Sequence, residues 1–288
     1  MKFKIIDFLY ISNQKANEMQ VGDKVLWKRI LSAIVGIPLI LIMIWFGGWP
    51  LIIVLAGLIC LAQWELNKIL VKLNIVTTPL LNLVSGALCL VGVVVGPQDT
   101  GLVLSGVIGL YLGGLVLRFP KYSMVDAGTN LMATLYTGWF FAQLYRLRSI
   151  SNDGFFFLLF LLVCNWASDT AAYFTGRFLG KTKLAPQVSP KKTVEGAVGG
   201  IIGALIAAVA LAGMAPQGSL LAYVCLGTLI SIFGQLGDLA ESALKREAGI
   251  KDSSNLIPGH GGILDRFDSV ILTAPLTYYF ISLVINPG

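Results

Sequence analysis

The feature that most constrains this chain is a recurring run of about 20 mostly apolar residues, the length an α-helix needs to cross the hydrocarbon core of a bilayer. Nine such runs can be marked, near residues 30–46, 50–66, 79–95, 101–117, 125–145, 155–174, 194–214, 220–239 and 267–285. Gln63 and Glu65 interrupt the second, and Asp126, Thr129 and Asn130 the fifth. Of the 288 residues 56% are apolar and only 12% charged, about half the charge of an average soluble domain. A coiled coil, a disordered tail and an ordinary cytosolic enzyme are thereby excluded. The expected fold is all-α, a polytopic integral membrane helical bundle of about nine transmembrane helices. Residues 1–29 read as an N-terminal cytosolic segment, 30–150 as a region of five spans, and 151–288 as a region of four spans with cytosolic loops.

The basic residues orient it. With the N-terminus in the cytosol, all but Arg146 and Arg148 of the 21 Lys and Arg fall on the cytosolic side, as the positive-inside rule requires. The net charge of +6 is then an orientation signal, and nucleic acid drops out as a partner. The first 25 residues have a short apolar stretch broken by Asp7 and no small-residue cleavage site. They read as a cytosolic interfacial helix or a leader, with Met19 as an alternative start, and not as a cleaved signal peptide. Cys60, Cys89, Cys164 and Cys225 lie far apart inside apolar runs, so neither a disulfide framework nor a zinc cluster is supported.

The acidic residues gather in the second half. Asp169, Glu195, Asp238, Glu241, Glu247, Asp252, Asp265 and Asp268 all fall at the cytosolic ends of the last four spans, where ionisable groups are costly and mark function. Three constellations result. Asn165, Asp169 and Tyr173 are four apart on one helix face, either an interhelical hydrogen-bond stripe or part of a site. Ser189-Pro190 reads as an N-cap with proline at the first helical position. Lys191, Lys192 and Thr193 would then occupy a first turn, where cations oppose the helix dipole unless an anion such as phosphate docks on the free amides. The bland alternative is a positive-inside loop. The glycines behind it, from Gly196 to Gly203, suit close helix packing. A P-loop is rejected, because three residues separate Gly176 from Gly180 where four are required.

The third constellation is the densest. Asp238, Glu241 and Lys245 are spaced three and four apart, Asp265 and Asp268 three apart, and a Gly-rich loop joins the two sets. The carboxylate pairs can meet at the membrane edge, where they would repel unless a cation sat among them. Oxygen ligands with a single histidine, His260, favour Mg²⁺ over zinc. His260 itself is open between a ligand, a base, and a group that orients the loop or bonds a phosphate.

This segment resembles the signature of the phosphatidate cytidylyltransferase (CDP-diacylglycerol synthase) family. Ser242, Lys245, Arg246, Lys251, Asp252, Pro258, His260, Gly261, Gly262, Asp265, Arg266 and Asp268 match its fixed positions, and 189–196 and Asn165 with Asp169 are similar too. The likeness covers 165–269. It implies a transferase of phospholipid synthesis in the cell's inner membrane, with its site facing the cytosol, that converts CTP and phosphatidic acid to CDP-diacylglycerol and pyrophosphate. It also implies a homodimer. By that resemblance Asp238 and Asp265 would hold Mg²⁺, with or without a second cation, aided by Glu241, Asp169 and Asp268. Lys191, Lys192, Lys245, Arg246 and Arg266 would neutralise phosphates. Asn165, Ser189, Thr193, Lys251, Asp252, His260, Gly261 and Gly262 would line the substrates. The motifs of CDP-alcohol phosphotransferases, rhomboid proteases and presenilin-like proteases are absent. A secondary transporter is the remaining alternative, disfavoured because the charges cluster at one surface and not at mid-bilayer.

Overall fold

The computed structural model describes residues 36, 38–96, 100–256 and 261–285, and among these the regular structure is helical apart from one short hairpin. Helix α1 covers 38–46. It is followed by α2 (Gly48–Lys72), α3 (Pro79–Val95) and α4 (Thr100–Arg118). Helices α5 (Met124–Thr134) and α6 (Phe140–Ser149) are joined by a π turn, Leu135–Trp139. Helix α7 (Gly154–Phe178) leads into strands β1 (Lys183–Ala185) and β2 (Ser189–Thr193), then α8 (Val194–Ala212), α9 (Leu220–Glu247) and α10 (Leu264–Phe280), which ends in a second π turn, Ile281–Ile285.

Among the described residues six helices are long and apolar enough to cross a membrane: α2, α4, α7, α8, α9 and α10 with its π turn. Two others of the nine expected runs differ. Helix α3 has only 17 residues, and the run at 125–145 forms α5, the π turn and α6, with buried Asp126, Asn130, Gln143 and Arg146. The first run lies partly, and residues 1–29 wholly, outside the described residues. Leu80, Leu102, Val116, Leu117, Phe178 and Leu221 remain exposed on the outer surface, which suits contact with lipid.

The polar interruptions hold the first half together. Asn82 Nδ2 donates to Asn67 Oδ1 (2.7 Å) and Asn130 Oδ1 (2.8 Å), and the Tyr111 hydroxyl donates to Asn82 Oδ1 (2.8 Å). Helices α2 to α5 are thus tied by groups that find partners in one another, as buried polar atoms must. Asp126 completes a capping box with Ser123 at the start of α5 and accepts from the Val76 amide at 2.8 Å. In the second half, small residues let backbones approach: a Cβ on Gly203 would lie 2.4 Å from Ala171 Cβ, and one on Gly227 2.6 Å from Ala208 Cβ.

With α5, the π turn and α6 counted as one continuous run, successive helices alternate between the two ends of the bundle. Arg148 Nε donates to the Ile44 carbonyl (2.7 Å) and Arg146 bonds Thr100, so the end of α1, the start of α4 and the end of α6 share one end. Glu65, Lys192, Asp238 and Asp265 collect at the other. The two basic residues that broke the charge asymmetry are therefore spent on helix ends.

Candidate active site

A cleft of about 460 Å³ opens at that second end, between α7, the hairpin, the start of α8 and α9. Asp169, Tyr173 and Arg177 line it from α7, Lys191 and Lys192 from β2, and Gln235 and Asp238 from α9. The residues of α7 are four apart, so a single helix face supplies them. Arg177 Nη1 donates to the Tyr173 hydroxyl at 2.9 Å. Lys192 Nζ lies 2.6 Å from Asp238 Oδ2, and Ser242 Oγ donates to Asp238 Oδ1 at 3.4 Å.

The hairpin corrects the expected helix start at Ser189. Lys183 pairs with Thr193 and Ala185 with Ser189 in an antiparallel register, so Pro190, Lys191 and Lys192 lie on a strand. The cap of α8 is Thr193, whose hydroxyl accepts from the Gly196 amide at 3.1 Å. Glu195 turns back to accept from the Lys181 amide (3.0 Å) and the Thr182 amide (3.1 Å). The lysines therefore do not oppose a helix dipole. They project from a strand, Lys191 exposed and Lys192 half-buried against Asp238.

A second charged group lies beside the cleft. Lys245 Nζ is 2.5 Å from both Glu241 Oε2 and Asp265 Oδ1. Asp265 Oδ2 accepts from the Ser253 amide (2.9 Å), the Ser253 hydroxyl (2.9 Å) and the Gly262 amide (2.7 Å). Asp265, expected as an open metal ligand with Asp238, thus has both oxygens engaged by the loop and by Lys245. Lys245, expected to hold a phosphate, is buried and doubly paired. Glu241 is 2% exposed, and its Oε1 has no hydrogen-bond partner among the described residues.

The two groups touch through the α9–α10 contact. A Cβ on Gly237 would lie 2.5 Å from the Asp268 carbonyl, which sets Asp238 and Asp268 side by side. The charges of Asp169, Asp238 and Asp268 act on one another, and Glu241 feels both Asp265 and Asp268. The buried Tyr136 hydroxyl, on the π turn, has no hydrogen-bond partner among the described residues and lies in the field of Asp268, Glu241 and Asp238.

Other expected site residues fall outside the cleft. Asn165 is 2% exposed and donates to the Leu161 carbonyl and Thr273 Oγ1, each at 3.1 Å, a tie between α7 and α10. Arg246, Lys251, Asp252 and Arg266 are exposed, and Arg246 donates to the Ile250 carbonyl at 2.8 Å. Gly261 has φ +84°, and a Cβ there would lie 2.6 Å from Asp265 Oδ2. Pro258 and His260 lie outside the described residues. Arg177 and Gln235 were not singled out from sequence, although Arg177 follows Asp169 and Tyr173 at the helical repeat that would have found it.

Among the described residues no three carboxylate, thiol or imidazole side chains form a ready-made metal cage. The donor set still suits Mg²⁺, which takes one or two protein carboxylates and completes its shell from water and substrate phosphates. Asp238 and Asp169 share the cleft, and Asp238 is held mainly by a displaceable lysine.

Over residues 27–284 the sequence matches the profile of the Cytidylyltransferase family. It is similar to the phosphatidate cytidylyltransferase of Bacillus subtilis (strain 168), at 36% identity over 266 residues, covering 89% of this chain and 97% of that one. The Staphylococcus haemolyticus phosphatidate cytidylyltransferase is 38% identical over 258 residues (86% and 96% covered). The protein of that name from Staphylococcus aureus (strain COL) is 36% identical over 261 residues (86% and 96%).

Proposed function

The chain belongs to the cytidylyltransferase family, and from that premise we propose how its cleft works. It is a nucleotidyltransferase that converts CTP and phosphatidic acid to CDP-diacylglycerol and pyrophosphate. The observation that carries the site assignment is the Lys192–Asp238 pair in the wall of a cleft that also presents Asp169, Arg177 and Lys191. Anionic and cationic groups set together at a bundle end suit a nucleotide triphosphate with its cation.

An oxygen of the lipid phosphate attacks the α-phosphorus of CTP. A phosphorus–oxygen bond forms there, the bond from the α-phosphorus to the α–β bridging oxygen breaks, and pyrophosphate leaves with that oxygen. The nucleophile arrives already ionised, so no side chain has to remove a proton. The residues have only to position the reactants and neutralise charge. Lys191, Lys192 and Arg177 reach the triphosphate from two sides. Asp238, with Asp169 and Asp268 beside it, is our choice to hold Mg²⁺, which when bound neutralises the phosphates. Asp265 acts by fixing the loop at Ser253 and Gly262.

The lipid enters from the bilayer side and CTP from the cytosol. The positive-inside pattern supports nine spans with a cytosolic N-terminus, so that the cleft faces the cytoplasm across the cell membrane. The homodimer is supported by α4, where Ser105, Gly109 and Gly113 are four apart on an open face, a spacing that favours helix pairing. The test is pyrophosphate release by purified protein in detergent. Release is expected only when CTP, phosphatidic acid and Mg²⁺ are all present. Accumulation of a solute in liposomes with no pyrophosphate released would favour a transporter instead.

A further inference from the structure

Glu65 lies on α2, in the half of the chain that supplies no group to the cleft, and it is wholly buried. Among the described residues no lysine or arginine pairs with it. A buried carboxylate without a cation is costly unless donors surround it, and here four do. Its Oε1 accepts from the Ser254 hydroxyl (2.6 Å) and the Ile263 amide (2.9 Å), and its Oε2 from the Ser253 hydroxyl (3.0 Å) and the Leu264 amide (2.9 Å).

These donors are not scattered. Ile263 and Leu264 open α10, a helix whose own N-cap residue makes no side-chain cap bond. A helix start leaves its first amides unsatisfied and carries positive partial charge. Glu65 answers both from another helix, close to 200 residues earlier in sequence. Ser253 and Ser254 lie midway along the α9–α10 loop; the Ser253 amide bonds Asp265, and its one hydroxyl proton is shared between Asp265 and Glu65. One carboxylate therefore ties the middle of the loop to the first turn that carries Asp265, Arg266 and Asp268.

We propose that Glu65 is a positioning residue for the cytidylyl transfer, a cap lent by α2 that sets Asp265 and Asp268 against the acidic end of α9. The proposal rests on the cytidylyltransferase reading. It is tested with Glu65→Gln, which keeps the size but turns an NH₂ group toward two donors. Turnover per folded molecule should fall by about tenfold or more, while KM for phosphatidic acid stays within about twofold. Amide hydrogen exchange at Ile263 and Leu264 should accelerate by about tenfold with exchange in α8 unchanged. Ser254→Ala, which removes one donor of four, should keep more than about half the turnover. An active wild type beside a Glu65→Gln protein of unchanged turnover and exchange would overturn the proposal alone. So would a loss of activity that disappears once turnover is normalised to folded protein. A wild type that releases no pyrophosphate would overturn the catalytic reading and this proposal together.

Discussion

A methyl group on Gly262 would lie 2.1 Å from Ser253 Oγ and 2.4 Å from Glu65 Oε1, two oxygens already committed to hydrogen bonds. Gly262→Ala should therefore open the loop, lowering stability by about 1–3 kcal/mol as over-packing does and lowering turnover with it. Thermal unfolding and pyrophosphate release measure the two effects, and unchanged values for both would show that the loop has slack. From sequence, Gly261 and Gly262 read as a surface for substrate. The nearest constraint on Gly261 is Asp265, and on Gly262 it is Ser253 and Glu65. Lys245 and Asp265 read from sequence as groups for phosphate and metal; spacing shows that both are charged but not that they pair with each other. Glu65 read as an interruption of a span, since its partners lie in a distant loop and no local pattern reports them.

At the scale of elements, patterns of one helical period were legible and pairings across the chain were not. Asn165, Asp169 and Tyr173 read as one helix face; Asp169 and Tyr173 line the cleft from α7, while Asn165 is buried against Thr273 of α10. Ser189-Pro190 carries the local mark of a helix start, yet the segment pairs with Lys183 and Ala185 as a strand. Glu195, bonded to the amides of Lys181 and Thr182, fixes that turn against α8. The glycines of α8 were read as a packing seam, and they form one: a Cβ on Gly199 would lie 2.2 Å from Thr175 Oγ1. Gly203→Leu should push α8 from α7 and cost about 1–3 kcal/mol or more. A lower midpoint of unfolding in detergent would register it, and an unchanged midpoint would mean the seam is loose.

Across the whole molecule, the apolar runs foretold a helical membrane protein, and the charge map picked out the end of the bundle where charged side chains pair. The number of spans was less legible, because α3 is short and the region from α5 to α6 spends polar residues on contacts among helices. The first half, which read as blander than the second, is nevertheless bonded to it. The cleft is built by α7, the hairpin, α8 and α9, but α10 is held in place from α2 through Glu65.

The central claim is that Asp238, with Lys192 and Asp169 around it, receives the cation-bound triphosphate at that end. Its most direct measurement is CTP- and phosphatidate-dependent pyrophosphate release by Asp238→Asn across a Mg²⁺ titration. A loss of about 10³-fold or more in turnover is expected in protein that remains folded. Turnover near the wild-type value, with the same Mg²⁺ dependence, would contradict it.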